Sequence, residues 1–247
     1  MFSTHESLSI LRPHLHSYIS KVNNKEIGNS EVNFLETEHY AKLIFSRAIA
    51  VQNAYEHLKL SIEYLEKGDF PASKFDFKDH HKYHLECFYI SLFSVIDRCY
   101  LLVGSSILFD ESQIENIKGK ELINKRLKSE THLSNVLKSL NTLNSNVNKF
   151  KKIRNKITHN NSFSNEHLEI LGFLKIIPDI SSKMLESVSL NDAEMNIKEE
   201  LMKKTKVEVD SVKCNLEADL NRVFQELHII YCAYVHAYAS KIKSRPI

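Results

Sequence analysis

The sequence predicts an all-α protein built as a bundle of long helices. Only five Gly and four Pro occur among 247 residues, so few positions would interrupt a helix or form a tight turn. In several long stretches the apolar residues recur every three or four positions, the spacing of helices that bury one face. With 43% hydrophobic and 26% charged residues, the chain can bury one sizeable core. We therefore expect a single domain over residues 1–247.

The first long helix is predicted at about residues 36–67. Its apolar stripe alternates spacings of four and three residues and consists of Ile44, Ala48, Val51, Tyr55, Leu58, Ile62 and Leu65. The stretch Gly68-Asp69-Phe70-Pro71 then ends it. A second helix from about Lys78 to Ser105 is apolar on most sides between residues 83 and 103, so it is predicted to lie at the centre of the core.

The remaining helices are predicted from weaker patterns. A polar helical stretch runs from about Ile114 to Leu143, and residues 141–148, four of which are Asn, have the composition of a connector. A basic helix at about 146–158 would end at Asn160-Asn161-Ser162, because asparagine tolerates the left-handed conformation of helix ends. A short helix at 166–175 completes a core at about 78–175. The C-terminal helices at about 192–243 are predicted to pack on this core, and they either close the bundle or dimerise.

Composition also predicts a location. The four cysteines, Cys87, Cys99, Cys214 and Cys232, are scattered and form no C-x-x-C pair, which indicates a reducing cytoplasm. The N-terminus lacks the basic start and apolar core of a secretory signal. The most apolar stretch, 87–96, stops at Asp97-Arg98 and is far shorter than the roughly 20 residues of a membrane span. We therefore expect a cytoplasmic protein with no membrane partner.

The strongest functional signal is the basic stretch at residues 151–160. No acidic residue occurs between Glu130 and Glu166, whereas six cations do: Lys138, Lys149, Lys151, Lys152, Arg154 and Lys156. Local positive charge of this kind favours a phosphate-bearing partner, although such lysines also simply solvate a helix face. Among them, Lys151, Lys152 and Lys156 are the candidate RNA-binding residues.

Within this stretch, Arg154 and His159 are the candidate catalytic residues. The arginine fork can grip a phosphate and the histidine can transfer a proton near pH 7, which together suffice for metal-free RNA cleavage. At about 100° per residue, Asn155 and His159 share a helix face, but Arg154 and His159 lie about 140° apart. Both can face one phosphate only if the helix ends or bends near His159, or if a second protomer contributes. Asn155 is placed to hydrogen-bond His159 or the substrate.

The string Arg154-Asn155-x-Ile157-x-His159-Asn160 is similar to the signature of the HEPN superfamily, all-α bundles of which many are RNases. The run at residues 83–90, followed by Asp97-Arg98, resembles a core helix of one bacterial branch, so the resemblance covers roughly residues 80–175. It implies a homodimer that joins two motifs in one cleft and cuts RNA without metal or cofactor, leaving 2′,3′-cyclic phosphate and 5′-hydroxyl ends. Arg154 would stabilise the phosphorane and His159 would act as general acid or base.

The resemblance also implies a biological setting. Many members are toxins or phage-defence effectors, so an antitoxin or regulatory partner is expected beside an RNA target such as a single-stranded region or a tRNA loop. In one branch an antitoxin adenylylates a tyrosine two residues after the histidine. That position is Asn161 here, which argues against this control.

Several alternatives remain open. The chain could be a catalytically inactive HEPN-like module that binds RNA or protein, or 151–160 could be an exposed basic helix end with a capping histidine. Arg126 with His132 and Arg222 with His228 also fit the bare pattern of an arginine, four to six residues, then a histidine, and we interpret both as chance matches. His80 and His84 have metal-ligand spacing but no complete ligand set, so no metal is predicted. Glu86 and Asp97 lie three helical turns apart; Asp97 could contact Arg98, Arg154 or His159, but a structural salt bridge is favoured.

Overall fold

The computed structural model describes residues 1–27, 33–70, 72–160, 163–176 and 190–243. Within these ranges the regular structure is helical and contains no strand, which confirms the all-α prediction. The α-helices are α1 (Arg12–Ile27), α2 (Glu36–Lys67), α3 (Phe77–Ser106), α4 (Glu111–Ile114), α5 (Gly119–Ser129), α6 (Ser134–Asn148), α7 (Lys151–Asn160), α8 (Glu166–Ile176) and α9 (Leu190–Lys243). Short 3₁₀ turns precede α1 and α6.

Four helices follow the apolar periodicity closely. Helix α2 has the predicted bounds, α3 is one residue longer at each end, and α8 is one residue longer at its C-terminal end. The C-terminal pattern forms one helix of 54 residues. Gly68 ends α2 at φ 60°, and its N–H donates to the Tyr64 carbonyl at 3.2 Å. A left-handed residue just after a helix is where glycine is favoured, so the predicted stop has a physical cause.

The predicted helix at 114–143 is wrong, because the chain turns twice in that region. Asn116 closes the first turn: its side-chain nitrogen donates to the Ser112 and Gln113 carbonyls, and its side-chain oxygen accepts from the Lys118 N–H at 2.8 Å. Gly119 follows, where any Cβ would overlap the Ile114 carbonyl. An asparagine turn and a glycine at a close backbone approach interrupt the helical pattern.

The predicted connector at 141–148 is also wrong, because α6 continues through it. Apolar residues are buried along α6 at helical spacing, at Val136, Leu140, Leu143 and Val147. The hydroxyls of Thr142 and Ser145 donate to carbonyls three or four residues earlier, at 3.0 and 2.9 Å, so these polar residues are accommodated within the helix. The basic helix therefore begins at Lys151 instead of 146, and it ends at Asn160; Asn161 and Ser162 lie outside the described residues.

The chain divides into two compact units. The first comprises Met1–Ala54, Ser94–Ser145 and Leu216–Ile247, and the second comprises Tyr55–Phe93 and Asn146–Asn215. In the first unit, Arg47 forms ion pairs with Glu111 and Glu115, both at 2.9 Å. The second unit contains α7 and α8 with the adjoining parts of α2, α3 and α9. The single domain stays a prediction.

Helix α3 is long and strongly apolar. Among the described residues it is the one helix that could cross a membrane by length and composition, and 56% of its apolar window is buried here. The sequence prediction considered only residues 87–96, whereas α3 continues past Asp97 and Arg98 to Ser106. Because the buried core helix of a protein passes the same test, this is weak evidence for a membrane span.

His81 is a buried histidine in the second unit. It is 0% exposed, its Nε2 lies 3.0 Å from the Thr205 hydroxyl, and its ring stacks on Phe77. Its Nδ1 is buried without a hydrogen-bond partner in the described part of the chain. Burial, with a smaller contribution from His84, lowers the pKa of His81 to about 4. The folded ring is therefore neutral throughout the neutral and mildly acidic range.

His81 should make the protein acid-sensitive. Below pH 6.5 the unfolded state gains a proton at this residue that the folded state gains only near pH 4, so the free energy of unfolding falls as the pH falls through this window. At pH 5 the loss from this one group is about 2 kcal/mol. Urea unfolding at pH 7.5 and pH 5 should show a smaller loss of unfolding free energy for His81→Gln than for wild type, because glutamine does not titrate. Equal losses in both proteins would contradict the assignment.

Candidate nucleic-acid interface

Helix α7 carries the candidate site and is anchored at its start. Phe150, immediately before it, is 5% exposed and packs its ring 5.6 Å from Tyr89 and 6.3 Å from Phe88. Its carbonyl accepts the Arg154 N–H at 3.0 Å, the first helical bond of α7. Further along, Ile153 is only half-buried, so α7 lies at the surface of the second unit.

Arg154 is half-buried and oriented by two neighbours. Its guanidinium carbon lies 5.8 Å from the centre of the Phe93 ring, and its NH1 donates to the Asn155 side-chain oxygen at 3.2 Å. An arginine on an aromatic face gains a cation–π attraction while its planar fork stays in one orientation. The structure therefore holds the guanidinium in place before any ligand arrives.

Asn155 contacts the arginine, whereas the sequence prediction paired it with His159 or the substrate. Its side-chain oxygen accepts from Arg154, and its carbonyl and that of Arg154 both accept from the Thr158 hydroxyl, at 3.2 and 3.1 Å. In this conformation Asn155 positions Arg154.

His159 is exposed in the last turn of α7. The helix is continuous from Lys151 to Asn160, so no bend brings the histidine towards Arg154, and the helical separation of about 140° applies. Within one chain, the two candidate catalytic side chains therefore leave α7 in different directions.

The lysines of the basic stretch have different surroundings. Lys151, Lys152 and Lys156 are exposed, as a phosphate-binding role requires. Lys149 instead donates to the Ser211 hydroxyl at 2.9 Å and lies 4.9 Å from the centre of the Phe150 ring, so it has a structural partner.

Lys156 also lines a pocket of about 440 Å³ in the second unit. Tyr89 donates its hydroxyl to Glu208 there, and burial raises the pKa of that tyrosine. His167, 8% exposed, has its Nε2 3.3 Å from the Lys204 Nζ. The sequence analysis did not identify the polar residues of this pocket. Glu200, Lys204 and Glu208 nevertheless recur every four residues and form a polar stripe on an amphipathic helix.

The other residues singled out by the sequence have structural partners. Asp97 forms a salt bridge with Lys120 at 2.5 Å in the first unit, and the Glu86 carboxylate accepts the Phe163 N–H at 3.1 Å in the second. His80 and His84 belong to an aromatic cluster, and the described residues contain no group of three or more His, Cys, Asp or Glu placed to hold a metal.

The two alternative Arg–His pairs lie in the first unit. Arg126 and His132 both contact Glu130, at 2.7 and 3.3 Å. In the other pair, Arg222 lies 4.0 Å from Asp219, and the His228 Nδ1 lies 3.1 Å from the Ser7 carbonyl. Each residue thus has a local partner, in keeping with the interpretation of these pairs as chance matches.

A family model described as Cthe2314-like HEPN matches residues 18–243. The chain belongs to the HEPN superfamily. The match extends the resemblance from residues 80–175 to nearly the whole chain, including α2 and α9. No curated protein and no solved structure matches significantly. HEPN domains are generally RNase or nucleotide-binding modules that commonly bind RNA and often dimerise, which gives the general class of function of this protein.

Proposed function

We propose that this HEPN protein is a metal-independent endoribonuclease that cuts single-stranded RNA or tRNA loops. The observation that carries the proposal is the arrangement on α7, where Asn155 and Phe93 orient Arg154 five residues before the exposed His159. A fixed cation and an accessible proton carrier are the two groups that this reaction requires. RNA is the substrate because DNA lacks the attacking 2′-hydroxyl.

The reaction is an in-line attack of the 2′-hydroxyl on the adjacent phosphorus. One His159 accepts the 2′-hydroxyl proton as the new P–O2′ bond forms, and Arg154 stabilises the extra negative charge of the phosphorane. As the P–O5′ bond breaks, a second histidine donates a proton to the leaving oxygen. The products are a 2′,3′-cyclic phosphate and a 5′-hydroxyl, with no net proton consumed.

A homodimer supplies the second histidine. Because Arg154 and His159 leave an unbent α7 about 140° apart, one protomer presents the two groups to different places. A twofold axis beside α7 brings each arginine near the histidine of the partner, and a symmetric interface makes both contacts at once. Lys151, Lys152 and Lys156 then bind the flanking phosphates of the RNA.

We further propose that the protein is a cytoplasmic toxin or phage-defence effector under the control of an antitoxin or another regulatory partner. An RNase that cuts tRNA loops would stop growth unless it were held inactive, so control is a requirement of the activity. All four cysteines are free, as in a reducing compartment. The position adenylylated in one branch is Asn161, outside the described residues, so a different control is expected.

The proposal is tested by incubating the purified protein with total RNA and a tRNA pool in excess EDTA, then mapping the fragment ends. We expect cleavage in EDTA with 2′,3′-cyclic phosphate and 5′-hydroxyl ends, and no cleavage of the same sequence carrying 2′-O-methyl groups. Intact RNA that stays bound in a salt-sensitive complex would overturn the nuclease and support the inactive binding module.

A further inference from the structure

An aromatic cluster at the start of α3 has no role in the nuclease motif. The His84 ring stacks on those of Tyr64 and Phe70, with centres 4.4 and 5.5 Å away and planes within 13° of parallel. Phe70 also stacks on His80 at 5.0 Å with an angle of 10°. Tyr64, His84, Phe70 and His80 thus form four nearly parallel rings, here called the aromatic stack. His80 and His84 have the spacing of a metal-ligand pair, but their rings belong to this stack.

A pocket of about 690 Å³ opens beside the aromatic stack. Three rings of the stack line it, together with Phe75 and Tyr83, which are 54% and 61% exposed. These two rings stand nearly perpendicular to the stack, at 89° to His80 and 77° to His84. Solvent-exposed aromatic side chains around a pocket are characteristic of a binding site, because each has a ring face that is accessible to a ligand.

The polar groups of this pocket specify the ligand further. Asp79, Lys82 and Glu86 line it beside the rings. Burial, with a contribution from His80, lowers the pKa of His84, so the ring is uncharged at neutral pH. The pocket therefore offers neutral aromatic faces, two carboxylates that accept from amino groups, and one cation for a phosphate. Carboxylates pair with the exocyclic amino groups of bases, and aromatic rings stack on base faces.

The pocket is connected to the end of the motif helix. The Glu86 carboxylate accepts the backbone N–H of Phe163 at 3.1 Å. Phe163 follows His159 by four residues, and four residues of chain span at most about 14 Å. Glu86, which forms one wall of the pocket, therefore lies at a distance from the exposed His159 that a few nucleotides of RNA can span.

We propose that this pocket binds an unpaired, amino-bearing nucleobase of the RNA, a few nucleotides from the bond that Arg154 and His159 cut. The position of the cut rests on the proposed function, whereas base binding by the pocket does not. Phe75 and Tyr83 stack on the base, and Asp79 and Glu86 accept from its amino edge. Such a subsite selects a loop with an accessible guanine, adenine or cytosine.

The test uses an RNA oligonucleotide in which one base is 2-aminopurine, whose fluorescence falls when it stacks. The chain contains no tryptophan, so this base is excited without protein background. Complete 2′-O-methylation blocks cleavage, so binding is measured whether or not the protein is a nuclease. We expect wild-type protein to quench the fluorescence, and Phe75→Ala or Tyr83→Ala to abolish the quenching and weaken binding about tenfold. Phe173→Ala is the matched control, an equally exposed phenylalanine (57%) of the same unit that does not line this pocket.

Three results would overturn the subsite. One is tight RNA binding without quenching at any labelled position, and another is equal quenching by wild type and both pocket variants. The third is a free 2-aminopurine nucleoside that binds as tightly as the oligonucleotide, since the pocket would then serve a small ligand instead of RNA. Quenching without any cleavage of unmodified RNA would retain the subsite and reject only the nuclease. Circular dichroism checks that each variant is folded.

Discussion

Alanine at Arg154 is expected to lower kcat/KM for RNA cleavage by about 10²–10³-fold, and alanine at His159 by about 10²–10⁴-fold. The arginine loss removes the fixed cation that stabilises the phosphorane, and the histidine loss removes proton transfer at both oxygens. Neither change should unfold the protein, because His159 is exposed and Arg154 is only half-buried. Initial rates on a tRNA pool in EDTA, with thermal melting of each variant, measure both effects.

The chain supplies its own matched controls for this experiment. Arg126→Ala and His132→Ala remove an arginine and a histidine of similar spacing from the first unit, and both should cut RNA at the wild-type rate. Arg154→Lys should remain well below wild type, because an ammonium keeps the charge but loses the planar fork. If the Arg126 or His132 variant lost as much activity as the Arg154 variant, the motif assignment would be wrong.

Mixing the same proteins tests the shared cleft. If both protomers supply a histidine to one cleft, adding an equal amount of His159→Ala protein and allowing exchange leaves only about a quarter of the dimers fully wild type. Activity per wild-type chain should then fall to about half. An unchanged activity per wild-type chain would show that no cleft requires the histidines of both protomers.

The parts of the fold that the sequence predicted are those that depend on local spacing. Helix α2 was predicted within its observed bounds because its apolar stripe and the glycine at position 68 are both local signals. The start of α7 was placed five residues too early, because the asparagine-rich stretch before it was interpreted as a connector. Four buried residues of α6 keep that stretch helical, and this burial depends on the tertiary fold.

The candidate site shows the same limit. The Arg154–His159 motif is contiguous, so the sequence contained it. The Arg154 contact with Phe93 joins residues 61 positions apart, and the pair of Tyr89 and Glu208 joins residues 119 positions apart. The aromatic stack combines the end of α2, the following loop and the start of α3. No periodicity within one element signals such contacts, so only the folded chain reveals what surrounds the motif.

Phe150→Ala should lower the free energy of unfolding by about 3–5 kcal/mol, the usual cost of deleting a buried phenylalanine. Phe150 is 5% exposed, packs against Tyr89 and Phe88, and occupies the turn between α6 and α7. Its loss leaves a cavity beneath the first turn of the helix that carries Arg154, so we expect activity to fall even under conditions in which the variant stays folded. Urea unfolding followed by circular dichroism measures the first effect, and kcat/KM on RNA the second.

Two comparisons separate anchoring from the general loss of an aromatic ring. Phe173→Ala removes an exposed phenylalanine of the same unit and should change the free energy of unfolding by less than about 0.5 kcal/mol. Phe150→Leu keeps most of the buried volume, so it should recover much of the stability and hold α7 in place. A Phe150→Ala protein as stable as wild type would mean that α7 is not anchored at its start.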